Sequence, residues 1–499
     1  MATELTIAPP REQIVVGWPS ALLATAIVGL ALVRMVVAAA SGLTDDEAYY
    51  RLWALAPALS YYDHPPMVAW LIAAGRWTFG DNPLGIRLAA TLTSLIGPFV
   101  LWRTAAILFG RQIAERATWI ALAMPLLAVG GVIITPDTPS AFFWGLSGWA
   151  LAELYISRNA NWWLAVGVLA GLGLLSKYTN LFVGAGIALW IALLPANWRQ
   201  LKCWQLWLGG ALAFVLALPV LIWNFEHEWA SFAKQFGRVV PHEAATSRFL
   251  LEFAGAYLGL ASPFIAGLSL WGLWITLRTA VVSRSQPHLI LAALIVPLLG
   301  YLLVHAVHER AQPNWAAPLY PALAICAALA LSDSSVGRAR HLYRAALAVG
   351  FALCALLYVH AVYPIVRGPG IGDPTSQMRG WSQFAKDVER AREANGAKWI
   401  ATSSYATTGQ LAFQLKSGPP VMQLTERIRY LHLPPANDAV TRSPALFVDL
   451  ARSGLPATFP QRFRSVVPLG TLSRTYRGTV MATYVVYLLA DPIGPVLQR

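Results

Sequence analysis

The sequence predicts an α-helical polytopic membrane protein that ends in a small α/β domain. Three observations carry this: the chain is 57% hydrophobic and only 12% charged, its mean hydropathy is +0.53, and apolar runs long enough to cross a bilayer recur from Trp18 to about Tyr363 and then stop. No water-soluble globular fold needs that balance. The net charge of +13 is spread between apolar runs and not gathered on one basic face, which argues for membrane topology and against nucleic acid. The three cysteines, Cys203, Cys326 and Cys354, lie in or beside apolar runs and have neither disulfide-framework nor zinc-ligand spacing. Arg11 followed by a long apolar run reads as an uncleaved signal anchor.

Taken in order, spans are expected near 18–40, 83–102, 117–134, 139–156, 162–176, 180–195, 205–223, 251–277, 288–305, 315–332 and 345–363. That is roughly eleven helices, in a range of about 11–13. Alternate loops carry the basic residues Arg103, Arg111, Arg116, Arg158, Arg199, Lys202, Arg278, Arg284, Arg338, Arg340 and Arg344, which assigns them to the cytoplasm. The opposite loops carry Asp45, Asp46, Glu47, Asp63, Asp81, Asp137, Glu226, Glu228, Glu243 and Glu309, and face outward together with the C-terminal region. Met67 to Phe79 is apolar but short and follows Pro65-Pro66, so it reads as an interfacial or re-entrant helix.

These features divide the chain into a transmembrane domain over 1–363 with outer loops and an outward-facing α/β domain over 364–499. The second begins with a Gly/Pro linker from Arg367 to Asp373, followed by a helix near 380–393, a strand near 398–402, a helix near 405–415, and strands near 445–448 and 480–488. No catalytic motif stands out in it.

The chemistry is expected in the outer loops. Asp45-Asp46-Glu47 places carboxylates at the membrane surface, where they can act as bases, bind a cation, or cap a helix behind Thr44. Tyr61-Tyr62-Asp63-His64-Pro65-Pro66 puts an acid and a titratable cation before a rigid helix start. Thr135-Pro136-Asp137-Thr138-Pro139 holds one acid that capping does not require. Lys177, in Leu175-Ser176-Lys177-Tyr178, is an outward cation that calls for a phosphate partner or snorkels from a helix end. Arg34, inside the first span, has the same two readings, with snorkelling or an internal ion pair favoured. The segment from Trp223-Asn224 to Arg238 and the cluster His308-Glu309-Arg310 add acids and cations on the same side, although belt aromatics and a capped helix start also account for them. Acids and phosphate-capable cations converging on one membrane face suit a reaction on a lipid phosphate ester.

The sequence resembles the bacterial C-type (GT-C) glycosyltransferases related to protein O-mannosyltransferases and to the lipid A aminoarabinose and galacturonic acid transferases. The resemblance rests on Asp45-Asp46-Glu47-Ala48-Tyr49, Tyr62-Asp63-His64-Pro65-Pro66, Pro136-Asp137-Thr138-Pro139, Leu175-Ser176-Lys177-Tyr178 and Trp223-Asn224 to Arg238. Gln312-Pro313-Asn314-Trp315 to Tyr320-Pro321 and Arg379-Gly380-Trp381 add to it.

What it implies is a sugar taken from a polyprenyl-phosphate donor, not a nucleotide sugar, and passed with inversion to an envelope acceptor at the periplasmic face, with lipid A or lipopolysaccharide core favoured. It implies Asp45, Asp46 and Asp137 as catalytic acids; Lys177, His64, Arg238 and Arg310 as donor-phosphate ligands; and Asp63, with Glu309 and His308, for acceptor or cation binding. Lipid A aminoarabinose transferases carry an acid-lysine pair before the two prolines, where this chain has Asp63-His64. The lipid-linked sugar is the donor substrate and no cofactor is specified; the separate carboxylates are compatible with a divalent cation. The implied setting is the bacterial inner membrane, with membrane lipids as partners; the oligomeric state stays open, a monomer being compatible with it. A lipid-linked glycan flippase or secondary transporter is the alternative from another class, but would more often show internal repeats and mid-membrane charges. A protein O-glycosyltransferase or a glycan ligase of the same fold is a further alternative.

Overall fold

The computed structural model describes residues 17–237, 246–332, 336–365 and 373–497. It is mainly helical, with one mixed sheet near the C-terminus. The first helices are α1 (Ala21–Ala40), α2 (Asp45–Leu55), α3 (Met67–Phe79), α4 (Pro83–Phe109), α5 (Arg111–Leu122), α6 (Pro125–Gly130) and α7 (Asp137–Ser157). There follow α8 (Trp162–Leu174), α9 (Leu181–Leu193), α10 (Trp204–Glu226), α11 (Ala230–Gly237), α12 (Ser247–Ala261), α13 (Pro263–Val282), α14 (Gln286–His308), α15 (Tyr320–Ser332) and α16 (Val336–Val362). Among the described residues seven helices are long and apolar enough to cross a membrane, and two more, spanning 162–174 and 178–193, are apolar but shorter.

Local chemistry sets the boundaries. Ser20 caps α1, Thr44 and Glu47 form a reciprocal capping box at α2, and Asn82 with Pro83 starts α4. The short apolar helix expected after Pro65-Pro66 is present as α3 and stops at Gly80, whose φ of 83° suits glycine.

Two expected spans are corrected. The run 117–134 is broken at Ala123–Met124, because Pro125 opens a separate short helix. The run 251–277 is broken at Ser262, which has a φ of 73° before Pro263. Helices α13 and α14 pack together across the short turn 283–285, so Pro263 and His308 share one end of the bundle. The Thr246 N–H donates to Val307 O at 2.8 Å, bringing the start of α12 to that end as well. Helix α12 therefore lies along the end of the bundle and does not cross it.

The core forms where α4, α5, α7, α9 and α13–α15 meet. The apolar window of the Pro313–Ser332 segment is 78% buried, whereas those of α10 and α16 are 17% buried, so the former is central and the latter two present the apolar outer faces that lipid requires. Helices α8 and α10 approach so closely that a Cβ on Gly167 would stand 2.1 Å from Gly209 O.

In the C-terminal part, α17 (Trp381–Ala394) and α18 (Tyr405–Gln414) accompany β1 (Trp399–Thr402), β2 (Val421–Gln423), β3 (Ala445–Leu450), β4 (Phe463–Tyr476) and β5 (Thr479–Pro492). The order is β2-β1-β3-β5-β4, parallel across β2-β1-β3 and antiparallel across β3-β5-β4. Strand β4 had no sequence signal because Arg464, Pro468, Gly470 and Arg474 interrupt its alternation. Most of the expected linker from Arg367 lies outside the described residues. Helix α18 packs on α2: Arg51 Nη1 donates to Ala412 O at 3.3 Å and Gln410 Nε2 to Leu43 O at 3.0 Å. Tyr430 and Tyr405 complete the apolar cluster of α2 and α3.

Candidate active site

The capping box that starts α2 aims three consecutive acids in three directions. Glu47 is fully buried and pairs with Arg87 of α4 at 2.6 Å, while the Ile134 N–H donates to its Oε1 at 3.0 Å. Glu47 thus locks α2, α4 and the turn before Asp137 together. Asp45 turns to the C-terminal part: its N–H donates to Gln377 Oε1 and its Oδ1 accepts from Gln410 Nε2, both at 3.0 Å. Asp46 faces a cavity of about 490 Å³ and accepts from the Tyr405 hydroxyl at 3.2 Å.

Asp46 is exposed, but into this cavity, where protein surrounds the carboxylate. Burial among protein atoms therefore raises its pKa against the Tyr405 hydrogen bond, and the charges of Asp45, Glu47 and Asp63 raise it further. Burial also raises Asp45, opposed by the Gln410 hydrogen bond and the Arg474 charge.

Asp137, at the first turn of α7, lines the same cavity. Its Oδ1 accepts from Lys177 Nζ and its Oδ2 from Asn314 Nδ2, each at 2.6 Å. Lys177 lies 5.8 Å from the Trp315 ring centroid, so two loops converge on this one carboxylate. Below the polar mouth the walls are apolar, and the lining residues of α4 run from Thr93 to Leu108. At 1.5 Å per residue that is a depth of roughly 22 Å.

Asp63 is held by three groups: Lys234 of α11, Arg429 of the C-terminal part, and the Tyr49 hydroxyl at 2.7 Å. Burial would raise its pKa, but the Arg429 and Lys234 charges outweigh burial and hold it below the ordinary carboxylate range. Burial lowers Lys234, with Asp63 opposing. Arg429 also stacks over Tyr405 at 5.1 Å and Tyr49 at 5.8 Å. Beneath these loops sits Tyr50, whose phenol is pushed up by burial and then by Asp46, Asp63 and Asp137.

Of the sequence-predicted acids and cations, Asp46 and Asp137 line the cavity; Asp45 adjoins Asp46, Lys177 pairs with Asp137, and Asp63 is near enough to raise the Asp46 pKa, although these three do not line it. His64 follows Asp63 in its turn, with its ring 6.4 Å from that of Tyr50, and does not line the cavity. His308, Glu309 and Arg310 gather at the end of α14, where Arg310 reaches Glu252 of α12 at 3.0 Å; they also do not line the cavity. Arg238 lies outside the described residues. Among the described residues no group of three or more His, Cys, Asp or Glu side chains is arranged to hold a metal ion. Lys234, Asn314, Tyr405, Gln410 and Arg429 were not anticipated; Lys234 and Asn314 stood inside motifs already singled out, whereas the other three gave no local signal.

Residues 63–223 match the family described as dolichyl-phosphate-mannose-protein mannosyltransferase. The chain is 31% identical over 288 residues to the lipid A galacturonosyltransferase RgtD of Rhizobium johnstonii, covering 56% of this chain and 59% of that protein. It is 24% identical over 280 residues to the undecaprenyl phosphate-alpha-4-amino-4-deoxy-L-arabinose arabinosyl transferase 1 of Proteus mirabilis, covering 50% of each. The chain therefore spans between 50% and 59% of these two curated relatives. Among solved structures, ArnT from Cupriavidus metallidurans bound to undecaprenyl phosphate superposes with a TM-score of 0.67 at 17% identity, covering 93% of this chain and 97% of that one. The apo Archaeoglobus fulgidus oligosaccharyltransferase gives 0.52 at 12% identity, covering 88% and 70%. The resemblance read from the motifs is borne out, and the polytopic helical fold with its small C-terminal sheet domain is the one shared with ArnT.

Proposed function

We propose that this protein is an inverting glycosyltransferase of the bacterial inner membrane that moves a sugar from a polyprenyl phosphate to an envelope lipid, lipid A or lipopolysaccharide core being the favoured acceptor. The observation that carries this reading is that Asp46 and Asp137 share the polar mouth of one deep apolar cavity. Such a cavity accommodates lipid chains while the acids face a headgroup. The relatives support the substrate class, since their names specify lipid A and undecaprenyl phosphate-linked sugar.

In this reading residues 1–363 form the catalytic membrane domain, and residues 364–499 form a periplasmic domain that closes over α2. The acceptor oxygen attacks the anomeric carbon as the bond from that carbon to the phosphate oxygen breaks, and the polyprenyl phosphate leaves with the electron pair. A hydroxyl acceptor gives its proton to Asp46, whose raised pKa suits a base. Asp45 orients α2 against Gln410. Asn314 donates to Asp137, and Asp137 in turn holds Lys177, which has further N–H groups to offer the leaving phosphate. Fixing both lipids in one cavity supplies orientation.

The test is transfer by the purified full chain in nanodiscs, with an undecaprenyl phosphate-linked sugar and lipid A. Release of undecaprenyl phosphate is expected to match sugar transferred one for one, and to be lost in Asp46→Asn. Transfer from a nucleotide sugar with no lipid-linked donor would overturn the reading.

A further inference from the structure

Arg34 lies six residues before the end of α1, roughly 9 Å inside a membrane-spanning helix. It is only 2% exposed. A full charge at that depth is costly unless it is paired or fully hydrogen-bonded. The internal ion pair that the sequence invites is not formed: among the described residues no carboxylate pairs with Arg34.

The surroundings hold the guanidinium with neutral groups. Nε donates to the Tyr358 hydroxyl at 2.9 Å, and that hydroxyl donates onward to Ala128 O at 3.0 Å. Nη1 donates to Ser94 O at 3.4 Å. That carbonyl is available because Pro98, four residues further along α4, has no N–H to offer it. Gly131 leaves room for the arginine stem, since a Cβ there would stand 2.8 Å from Arg34 Cδ. Nη2 has no hydrogen-bond partner among the described residues. Three elements therefore position a charge that two neutral acceptors, one of them long, leave incompletely satisfied. Arg34 lines the cavity that also holds Asp46 and Asp137.

We infer that Arg34 is a lipid-phosphate ligand: it binds the phosphate of a lipid whose chain occupies this cavity. This rests on the functional reading above, in which donor and acceptor are both phosphate-bearing lipids. A guanidinium with a free edge presents the N–H donors that phosphate oxygens accept, and the apolar walls below it take the chain. Arg34 is distinct from Lys177 and from the Lys234–Arg429 pair, each of which already faces a carboxylate.

The test is binding of undecaprenyl phosphate, undecaprenol and lipid A, by native mass spectrometry, to the full chain reconstituted in phosphatidylcholine nanodiscs. Arg34→Gln is expected to weaken one of the two phosphate-bearing lipids by about tenfold or more, and to leave undecaprenol within about twofold of wild type. The lipid that weakens identifies the source of the phosphate. Tyr358→Phe, which keeps the charge but removes its anchor, is expected to weaken the same lipid by a smaller factor. The inference is overturned if Arg34→Gln binds both phosphate-bearing lipids like wild type. Should that variant not fold, unchanged affinities in Tyr358→Phe overturn it. If the wild type itself prefers neither phosphate-bearing lipid over undecaprenol, the functional reading fails first.

Discussion

Lys177 Nζ lies 2.6 Å from Asp137 Oδ1, with the two side chains only 9% and 10% exposed. Removing one partner of such a pair leaves a buried charge uncompensated, which costs about 3–5 kcal/mol, whereas replacing both by apolar groups costs far less. Lys177→Met is therefore expected to lower the unfolding midpoint in detergent strongly, and Lys177→Met with Asp137→Leu to recover most of that loss. Neither variant should transfer sugar. A single variant as stable as wild type would show that the pair is not coupled.

Asp46 and Asp45 should separate in activity. Asp46 faces the cavity and Asp45 faces Gln410, so Asp46→Asn is expected to lose about 10²–10⁴-fold in rate and Asp45→Asn much less. The raised Asp46 pKa also sets a sign. A carboxyl that holds its proton more tightly when folded than when unfolded penalises the folded state above its shifted pKa, and the penalty fades as pH falls through it. Asp46→Asn should therefore be more heat-stable than wild type at neutral pH. The rate of the wild type should fall on the acid side at a pH above the ordinary aspartate value of about 3.9. An acid limb at or below that value would count against Asp46 as the base.

Glu47 stands beside these acids but is expected to act on folding alone. Its carboxylate is 0% exposed and is used up by Arg87, Thr44 and the Ile134 N–H. Glu47→Gln should cost about 3–5 kcal/mol, seen as a lower yield of folded protein, while the protein that does fold keeps nearly wild-type kcat. A folded Glu47→Gln protein with no activity would place Glu47 in the chemistry.

Arg429 joins the C-terminal part to the loop before α3 through Asp63. Because the Asp63 pKa is lowered, its stabilising contribution is present above the unfolded value and is lost as pH falls through the folded one. Arg429→Met removes a charge-assisted bond of about 1.5–3 kcal/mol. Limited proteolysis should then cut the C-terminal part sooner than in wild type, and the acid-induced gain in cutting should flatten. Equal protection of both proteins across pH would mean that the ion pair does not hold the two parts together.

The parts legible in the sequence were those written in local chemistry. Pro65-Pro66 and Gly80 bracket α3, Thr44 and Glu47 announce α2, and the acids of three loops announce themselves by charge. The break at Ser262–Pro263 was hidden because apolar residues continue on both sides of it, so hydropathy registers one run where the backbone makes two helices. Arg429 was hidden for a different reason: it meets Asp63 across 366 residues, and one sequence carries no record of which distant loops meet. The same distance concealed Tyr405 and Gln410, the groups that distinguish Asp46 from Asp45. Pro98 was visible, but its consequence, a carbonyl freed for Arg34, needed the packing of α1 on α4.

Sugar transfer to an envelope lipid is measured most directly by mass spectrometry of envelope lipids from cells with and without the gene, and from cells without it complemented by wild type or by Asp46→Asn. One lipid A or core species is expected to lose the mass of a single sugar when the gene is absent. Wild type should restore that sugar, and a stably expressed Asp46→Asn protein should not. Identical envelope lipids in all four strains, with altered uptake of a solute in the deletion, would contradict it and point to transport instead.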